Sequence, residues 1–179
     1  MIKRFDEIEK GKSIAVYHGL GGQPAPDRIE YLKSIGFTEV YYPYIDFEEE
    51  WLKDKCKSIF QRELRNLRGI DLIMGFSLGG YLAFELGGQL STNLILINPA
   101  LDRGRTKLDI KSFDIDSKRN FGKIEVFLGS DDTLIDKNTT LDFLKKERIN
   151  SEITIIEGME HRTPMNYFRE IINKSKLTI

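Results

Sequence analysis

The chain has 179 residues, of which 40% are hydrophobic and 31% are charged, and this length and composition fit one globular domain. Its net charge of −1 gives no field that would attract nucleic acid or an anionic membrane, so we expect neither as a partner. The one cysteine, Cys56, excludes an intramolecular disulfide and a metal site with several cysteine ligands.

The first ten residues lack the apolar stretch of a secretory signal peptide. No segment approaches the ~18 consecutive apolar residues of a membrane span. We therefore expect a cytoplasmic protein. No repeat, low-complexity tract or change of composition divides the chain, which predicts a single domain over 1–179.

Short apolar runs alternate with longer amphipathic segments along the chain. The apolar runs predict strands at Ser13–His18, Thr38–Tyr42, Asp71–Phe76, Asn93–Asn98, Lys123–Leu128 and Glu152–Ile156. The amphipathic segments predict helices at Pro26–Ile35, Phe47–Arg68, Leu78–Gln89, Asn138–Arg148 and Pro164–Asn173. The strands show little polar alternation, which is typical of parallel strands covered on both faces. We predict an α/β fold, a three-layer α/β/α sandwich with a mostly parallel sheet of about six strands.

The longest helical segment, Phe47–Arg68, carries its own boundary signals. Asp46 is a candidate N-cap, and Glu49 follows three residues later as in a capping box. The apolar side chains of the segment, including Leu52 and Cys56, fall on one stripe at helical spacing. We therefore expect this stripe, with Cys56 in it, to lie in the core.

Ser77 lies in the sequence Gly-Phe-Ser-Leu-Gly, between a predicted strand and a predicted helix. In that position the pattern indicates a sharp turn that exposes the serine hydroxyl as a nucleophile. Gly75 and Gly79 leave room for so tight a turn, and we expect Ser77 to adopt a strained, positive φ angle. The alternative is an ordinary glycine-rich turn whose serine only caps the helix, but the placement favours a nucleophile.

A nucleophilic serine needs a base, and the chain has two histidines, His18 and His161. Both follow predicted strands, and ligands of parallel α/β sheets bind beyond the C-terminal ends of the strands. Candidate acids to orient the base follow the fifth predicted strand: Asp131, Asp132 and Asp136. The alternative for these aspartates is ordinary turn chemistry.

Five short motifs together resemble the α/β-hydrolase superfamily, especially its minimal and nearly lidless bacterial serine esterases and thioesterases. They are His18-Gly19, Gly75–Gly79, Asn98-Pro99-Ala100, Gly129–Asp132 and Gly158–His161. The resemblance runs from about Ser13 to the end of the chain, and its specificity comes from the joint order of the motifs.

The resemblance implies a catalytic triad of Ser77, Asp132 and His161, because the order in this family is nucleophile, acid, histidine. Asp132 is the favoured acid, with Asp131 and then Asp136 as alternatives. The implied reaction is hydrolysis of a carboxylic ester or thioester through an acyl-enzyme, with a small-molecule acyl substrate and no cofactor or metal.

The glycine-rich loop from His18 to Gly22 completes the implied site. Leu20 and Leu78 would donate the two backbone N–H groups of an oxyanion hole. We expect His18 to orient this loop rather than to transfer protons. Phosphate binding by the loop is disfavoured, because the P-loop lysine pattern and Gly-x-Gly-x-x-Gly are both missing.

A short cap or loop region at about 101–120 is mostly polar, which favours a small or soluble substrate over a lipid. Tyr41–Tyr44 place aromatic rings near the same edge of the sheet, either to line an acyl pocket or to pack the strand end. Two other functions are open: a non-catalytic binding or interaction protein on the same scaffold, and an acyltransferase.

Overall fold

The computed structural model describes residues 11–54, 56–102 and 120–178. The polar region predicted at about 101–120 lies outside the described residues except at its two ends. No helix in the described ranges is long and apolar enough to cross a membrane.

Strands and helices alternate as the sequence predicts. The strands are β1 (Lys12–Tyr17), β2 (Phe37–Tyr41), β3 (Leu72–Phe76), β4 (Asn93–Ile97), β5 (Ile124–Gly129) and β6 (Glu152–Ile156). The helices are α1 (Pro26–Ser34), α2 (Phe47–Asp54), α3 (Lys57–Asn66), α4 (Ser77–Leu90), α5 (Lys137–Lys146) and α6 (Met165–Lys174). The predicted ends of every strand are within one residue of the observed ends.

The six strands form one parallel sheet in the order β2-β1-β3-β4-β5-β6, which confirms the predicted architecture. A hydrophobic core lies on each face of the sheet. The side chains of successive strand residues pack into opposite cores, as those of Val16 and Tyr17 do in β1. One core contains buried side chains from α3, α4 and α5, and the other contains side chains from α1 and α6. The inner strands β1, β3, β4 and β5 are covered on both faces, which explains why their sequences show little polar alternation, whereas the edge strands β2 and β6 are partly exposed.

The order of the strands locates a binding crevice. From β1 the chain moves to one side to form β2 and then to the other side to form β3. The crossovers therefore diverge above the C-terminal ends of β1 and β3, and such a switch point is where open α/β sheets bind ligands. His18 follows β1, and Ser77 follows β3.

The predicted helix Phe47–Arg68 is wrong as a single element, because the structure divides it into α2 and α3. The N–H of Cys56 donates to the carbonyl of Glu50 at 3.1 Å, a bond that closes a helix end, and Cys56 has a φ angle of 65°. The apolar stripe does not continue as predicted across the two helices. Phe47 of α2 and Ile59 of α3 are buried, whereas Leu52 of α2 is 85% exposed.

Two predictions for this region are confirmed. Asp46 accepts the N–H of Glu49 at 3.0 Å through its side chain, as an N-cap does. Cys56 lies in the core and is only 2% exposed. Burial, assisted by the nearby charges of Glu50 and Asp54, raises the pKa of its thiol to about 11.

We expect the thiol of Cys56 in the native protein to react with dithiobis(nitrobenzoate) far more slowly than in the urea-unfolded protein at mildly alkaline pH. The thiolate is the reactive form, and burial of Cys56 both disfavours it and blocks access. Release of thionitrobenzoate measures this residue alone, since it is the one cysteine of the chain. Cys56→Ser is the blank, and equal rates for native and unfolded protein would refute the buried position.

Candidate active site

The turn between β3 and α4 holds Ser77 in a strained conformation, with a φ angle of 51° as expected. Gly75 and Gly79 permit the turn because neither position has room for a side chain. A Cβ atom on Gly75 would lie 2.3 Å from the carbonyl oxygen of Gly79, and one on Gly79 would lie 2.2 Å from that of His18. The start of α4 is therefore packed directly against the end of β1.

Three side chains distant in sequence form a hydrogen-bonded chain at this edge of the sheet. His161, in the loop after β6, has its Nε2 atom 3.0 Å from Oγ of Ser77. Its Nδ1 atom lies 2.8 Å from Oδ2 of Asp132, in the loop after β5. The imidazole is thus positioned to take a proton from the hydroxyl while the carboxylate fixes its orientation.

The carboxylate of Asp132 is held on its other side as well. Its Oδ1 atom accepts the backbone N–H groups of Leu134 and Ile135, each at 2.9 Å. The side chain is only 1% exposed, and burial alone would raise its pKa. The hydrogen bonds from His161 and the two amides outweigh burial and lower the pKa of Asp132, so the carboxylate is ionised at neutral pH.

The other two candidate acids have different partners. The carboxylate of Asp131 accepts the hydroxyl of Ser130 at 2.6 Å. Asp136 caps α5 by accepting the N–H of Asn138 at 2.9 Å. Of the three aspartates, the structure therefore brings Asp132 to the imidazole.

His18 has the geometry expected of a residue that orients the loop. Its Nε2 atom lies 3.0 Å from the N–H of Ile45 and must accept, so the ring proton is on Nδ1. That Nδ1–H donates to the carbonyl of Gly19 at 2.8 Å. Burial lowers the pKa of His18, against a smaller opposing effect of the Gly19 hydrogen bond, and so favours the neutral ring. Both nitrogens are occupied by backbone groups.

The two predicted oxyanion donors belong to different segments at this edge of the sheet. Leu20 is in the loop after β1, which lines the same cavity as the serine. Leu78 is the second residue of α4, so its N–H is among the helix donors that have no intrahelical acceptor. A Cβ atom on Gly19 would lie 3.0 Å from Cβ of Ser77, which shows how closely the loop approaches the turn. The oxyanion role of the two N–H groups stays a prediction.

Ser77 and His161 open into a cavity of about 820 Å³. Tyr42 contributes to its wall, whereas Tyr41 packs against the opposite core and donates to Glu63 at 3.3 Å. The sequence left two roles open for these aromatic rings, lining a pocket or packing the strand end. Tyr42 lines the cavity, and Tyr41 packs at the end of β2. Within residues 11–54, 56–102 and 120–178, no cluster of three or more His, Cys, Asp or Glu side chains is arranged to hold a metal ion.

No protein-family model matches the chain, and no curated protein matches it in sequence. Its structure is similar to a Xanthomonas campestris protein assigned as a hydrolase of the α/β superfamily, with a TM-score of 0.63, 18% identity and coverage of 89% of this chain and 92% of that one. It is also similar to S-formylglutathione hydrolase from Staphylococcus aureus, with a TM-score of 0.66, 11% identity and coverage of 94% and 81%. A third similar structure is monoacylglycerol lipase from Paleococcus ferrophilus, with a TM-score of 0.59, 14% identity and coverage of 93% of each chain. The chain has the α/β-hydrolase fold.

Asn98 is a residue of this site to which the sequence analysis gave no role. It follows β4 with a φ angle of 44°, a conformation that asparagine tolerates better than most residues. Its side-chain oxygen accepts the N–H of Gly129 at 2.7 Å. Its amide nitrogen donates to the carbonyls of Glu160 at 3.0 Å and His161 at 3.4 Å. One buried side chain thus ties the end of β5 to the loop that carries His161.

We expect Asp132→Asn to slow the reaction of Ser77 with a fluorophosphonate by about 10⁴-fold, because an amide does not hold the imidazole in the required tautomer. The rate of covalent labelling, followed by intact mass, measures the effect. Asp131→Asn is the matched control, since Asp131 contacts Ser130 rather than the imidazole. A similar loss in both variants would argue against the assignment of the acid.

We expect Asn98→Asp to slow the same labelling by about tenfold or more, because a carboxylate cannot donate to the Glu160 and His161 carbonyls. Asn93→Asp is the control at the other end of β4. It keeps the oxygen that accepts the N–H of Lys123 at 2.9 Å. Urea unfolding of both variants separates loss of positioning from loss of stability, and an unchanged labelling rate in Asn98→Asp would contradict the positioning role.

Proposed function

We propose that this chain is a serine hydrolase that cleaves a small or soluble carboxylic ester or thioester through a covalent acyl-enzyme. The observation that carries the proposal is the position of His161, whose Nε2 lies 3.0 Å from Oγ of Ser77 while Nδ1 is bound to Asp132. A hydroxyl, an imidazole and a carboxylate in this arrangement are the groups that acyl transfer requires.

The proposed first half-reaction forms the acyl-enzyme. Oγ of Ser77 attacks the carbonyl carbon while Nε2 of His161 takes the hydroxyl proton, and the carbonyl oxygen becomes an oxyanion. The N–H groups of Leu20 and Leu78 are the proposed donors to that oxyanion. Collapse of the tetrahedral intermediate breaks the bond to the leaving oxygen or sulfur, which takes the proton from the imidazolium.

The proposed second half-reaction releases the acid. Nε2 of His161 takes a proton from a water molecule, whose oxygen attacks the acyl carbon and displaces Oγ of Ser77. The serine recovers its proton from the imidazolium. Throughout both halves, Asp132 stays ionised and stabilises the protonated ring, in keeping with the lowered pKa of its carboxyl group.

Two further observations support this class of reaction. The solved structures described above are named as hydrolases, one of a thioester by its name and one of a lipid ester, and they share the fold at low identity. The sequence of the region from 101 to 120 is mostly polar, which favours a soluble acyl compound.

We expect the wild-type protein to hydrolyse members of a panel of 4-nitrophenyl esters and acyl-CoA thioesters of graded chain length. Ser77→Ala should lower kcat by on the order of 10⁶-fold, because the nucleophile is lost. Ser34→Ala is the control, since that exposed serine of α1 donates only to the carbonyl of Tyr31 at 2.7 Å. A folded wild-type protein that neither turns over the panel nor labels with a fluorophosphonate would instead support a binding protein.

Product analysis in the presence of an added alcohol or amine separates a hydrolase from an acyltransferase. We expect the free acid as the main product, because the proposed mechanism deacylates with water. A new ester or amide formed at the expense of the acid would assign the chain as an acyltransferase and would overturn hydrolysis as its main activity.

A further inference from the structure

The cavity beside Ser77 contains a polar cluster that the proposed mechanism does not use. Its members are Arg28 in the first turn of α1, Tyr42 after β2, and Thr163 just before α6. All three residues line the same cavity as Ser77 and His161. The cluster lies on the α1 and α6 side of the sheet.

The guanidinium of Arg28 is held in place by three neighbours. It lies over the ring of Phe76 at 4.4 Å from the ring centre and over that of Phe168 at 5.1 Å. It also donates to the carbonyl of Thr163. Phe76 immediately precedes Ser77, so these contacts fix the positive charge close to the nucleophile.

The guanidinium of Arg28 has more N–H donors than the one that binds the Thr163 carbonyl. A guanidinium carries five N–H donors, and the Thr163 carbonyl occupies one side of it. Among the residues that the structure describes, no carboxylate forms an ion pair with Arg28. Among the described residues that line the cavity, the charged side chains are two arginines, Arg28 and Arg162, against one carboxylate, Glu160, so this lining favours an anion.

Two buried hydroxyl groups accompany the charge. Tyr42 is 9% exposed and Thr163 is 6% exposed, and neither hydroxyl donates a hydrogen bond to a described residue. Burial raises the pKa of Tyr42, and the positive charge of Arg28 together with a side-chain hydrogen bond from Arg28 opposes this effect, so the guanidinium lies next to the phenol oxygen. A buried hydroxyl whose proton has no acceptor is costly, and a ligand is one way to supply the missing acceptor.

We propose that Arg28, Tyr42 and Thr163 form a subsite for an anionic group, a carboxylate, carried by the ester or thioester that Ser77 attacks. This inference rests on the proposed function and names its substrate class. A carboxylate has two oxygens and accepts several hydrogen bonds, which suits the guanidinium donors that the Thr163 carbonyl leaves unoccupied, in a cavity that Tyr42 and Thr163 also line. A neutral alkyl chain in the same place would leave the charge desolvated and would offer no acceptor to the hydroxyl protons.

Two esters that differ in one charge test the subsite. Mono(4-nitrophenyl) adipate ends in a carboxylate, and methyl 4-nitrophenyl adipate has the same acyl chain with that carboxylate methylated. We expect wild-type protein to have a kcat/KM about 10- to 100-fold higher for the anionic ester, the range that charge-assisted hydrogen bonds give. Equal kcat/KM values for the two esters would overturn the proposal.

Two variants of the cluster and one control test whether the preference for the anionic ester arises from Arg28 and Tyr42. Arg28→Gln and Tyr42→Phe should each lower the ratio of the two kcat/KM values, with the larger effect in Arg28→Gln because the charge is lost. Arg169→Gln removes the same charge from α6, where the guanidinium lies over Tyr31 at 5.3 Å, and should leave the ratio unchanged. Tyr42→Phe deletes only a hydroxyl that donates to no described residue, so it stays informative where Arg28→Gln fails to fold. An unchanged ratio in Tyr42→Phe and Arg28→Gln would place the preference elsewhere.

Binding without turnover separates this inference from the proposed function. Titration calorimetry on Ser77→Ala measures the affinity for monomethyl adipate and for dimethyl adipate, neither of which needs to react. We expect tighter binding of the anion and a loss of that difference on adding Arg28→Gln. Such a result supports the subsite even where the wild-type serine proves unreactive, and equal affinities refute it even where the serine is active.

Discussion

The candidate site depends on one close approach, between the start of α4 and the end of β1. Gly79 has no space for a side chain, because a Cβ atom there would lie 2.2 Å from the carbonyl oxygen of His18. This contact places Ser77 beside the loop that follows β1, at the point where the strand order diverges. The positive φ angle of Ser77 is a local cost, and the packed cores on both faces of the sheet hold it in place.

A second constraint joins the loops after β4, β5 and β6. Asn98 accepts from the backbone at the end of β5 and donates to the backbone around His161, so two loops share one side chain as their support. Asp132 is fixed by two amides of its own loop before it meets the imidazole. Groups that are held in this way need little reordering when a substrate arrives, which is the physical basis of preorganised catalysis.

The fold was predictable from the sequence because it depends on patterns that act over short distances. Apolar runs such as Leu94–Ile97 and the cap at Asp46 specify elements locally, and their alternation implies the parallel sheet. The division of Phe47–Arg68 was not predictable in this way, because a continuous apolar stripe does not encode the positive φ angle of Cys56, where one helix gives way to the next. Leu52 has the correct spacing for the core of one continuous helix, but in α2 it is exposed.

The residues of the site also differ in how well the sequence predicted them. The positions of Ser77 and His161 follow from motif and strand order, and these signals placed both residues at one edge of the sheet. The choice among three neighbouring aspartates depends on loop geometry, which puts Asp132 against the imidazole and leaves Asp136 to cap a helix. Their catalytic roles stay predictions. Asn98 acts through contacts more than 30 residues away in sequence, and spacing patterns do not encode such contacts.

The proposed anionic subsite connects to the base through the backbone. Arg28 donates to the carbonyl of Thr163, which lies two residues beyond His161 in the same loop. The rings of Phe76 and Phe168 hold the guanidinium before any ligand arrives, so a carboxylate would bind to a group that has already lost its rotamer freedom. The same side chain would then steady both the substrate and the loop that carries the imidazole. Binding energy from a remote part of the substrate would thereby act on the alignment of Ser77 and His161, which is where it can raise kcat rather than only lower KM.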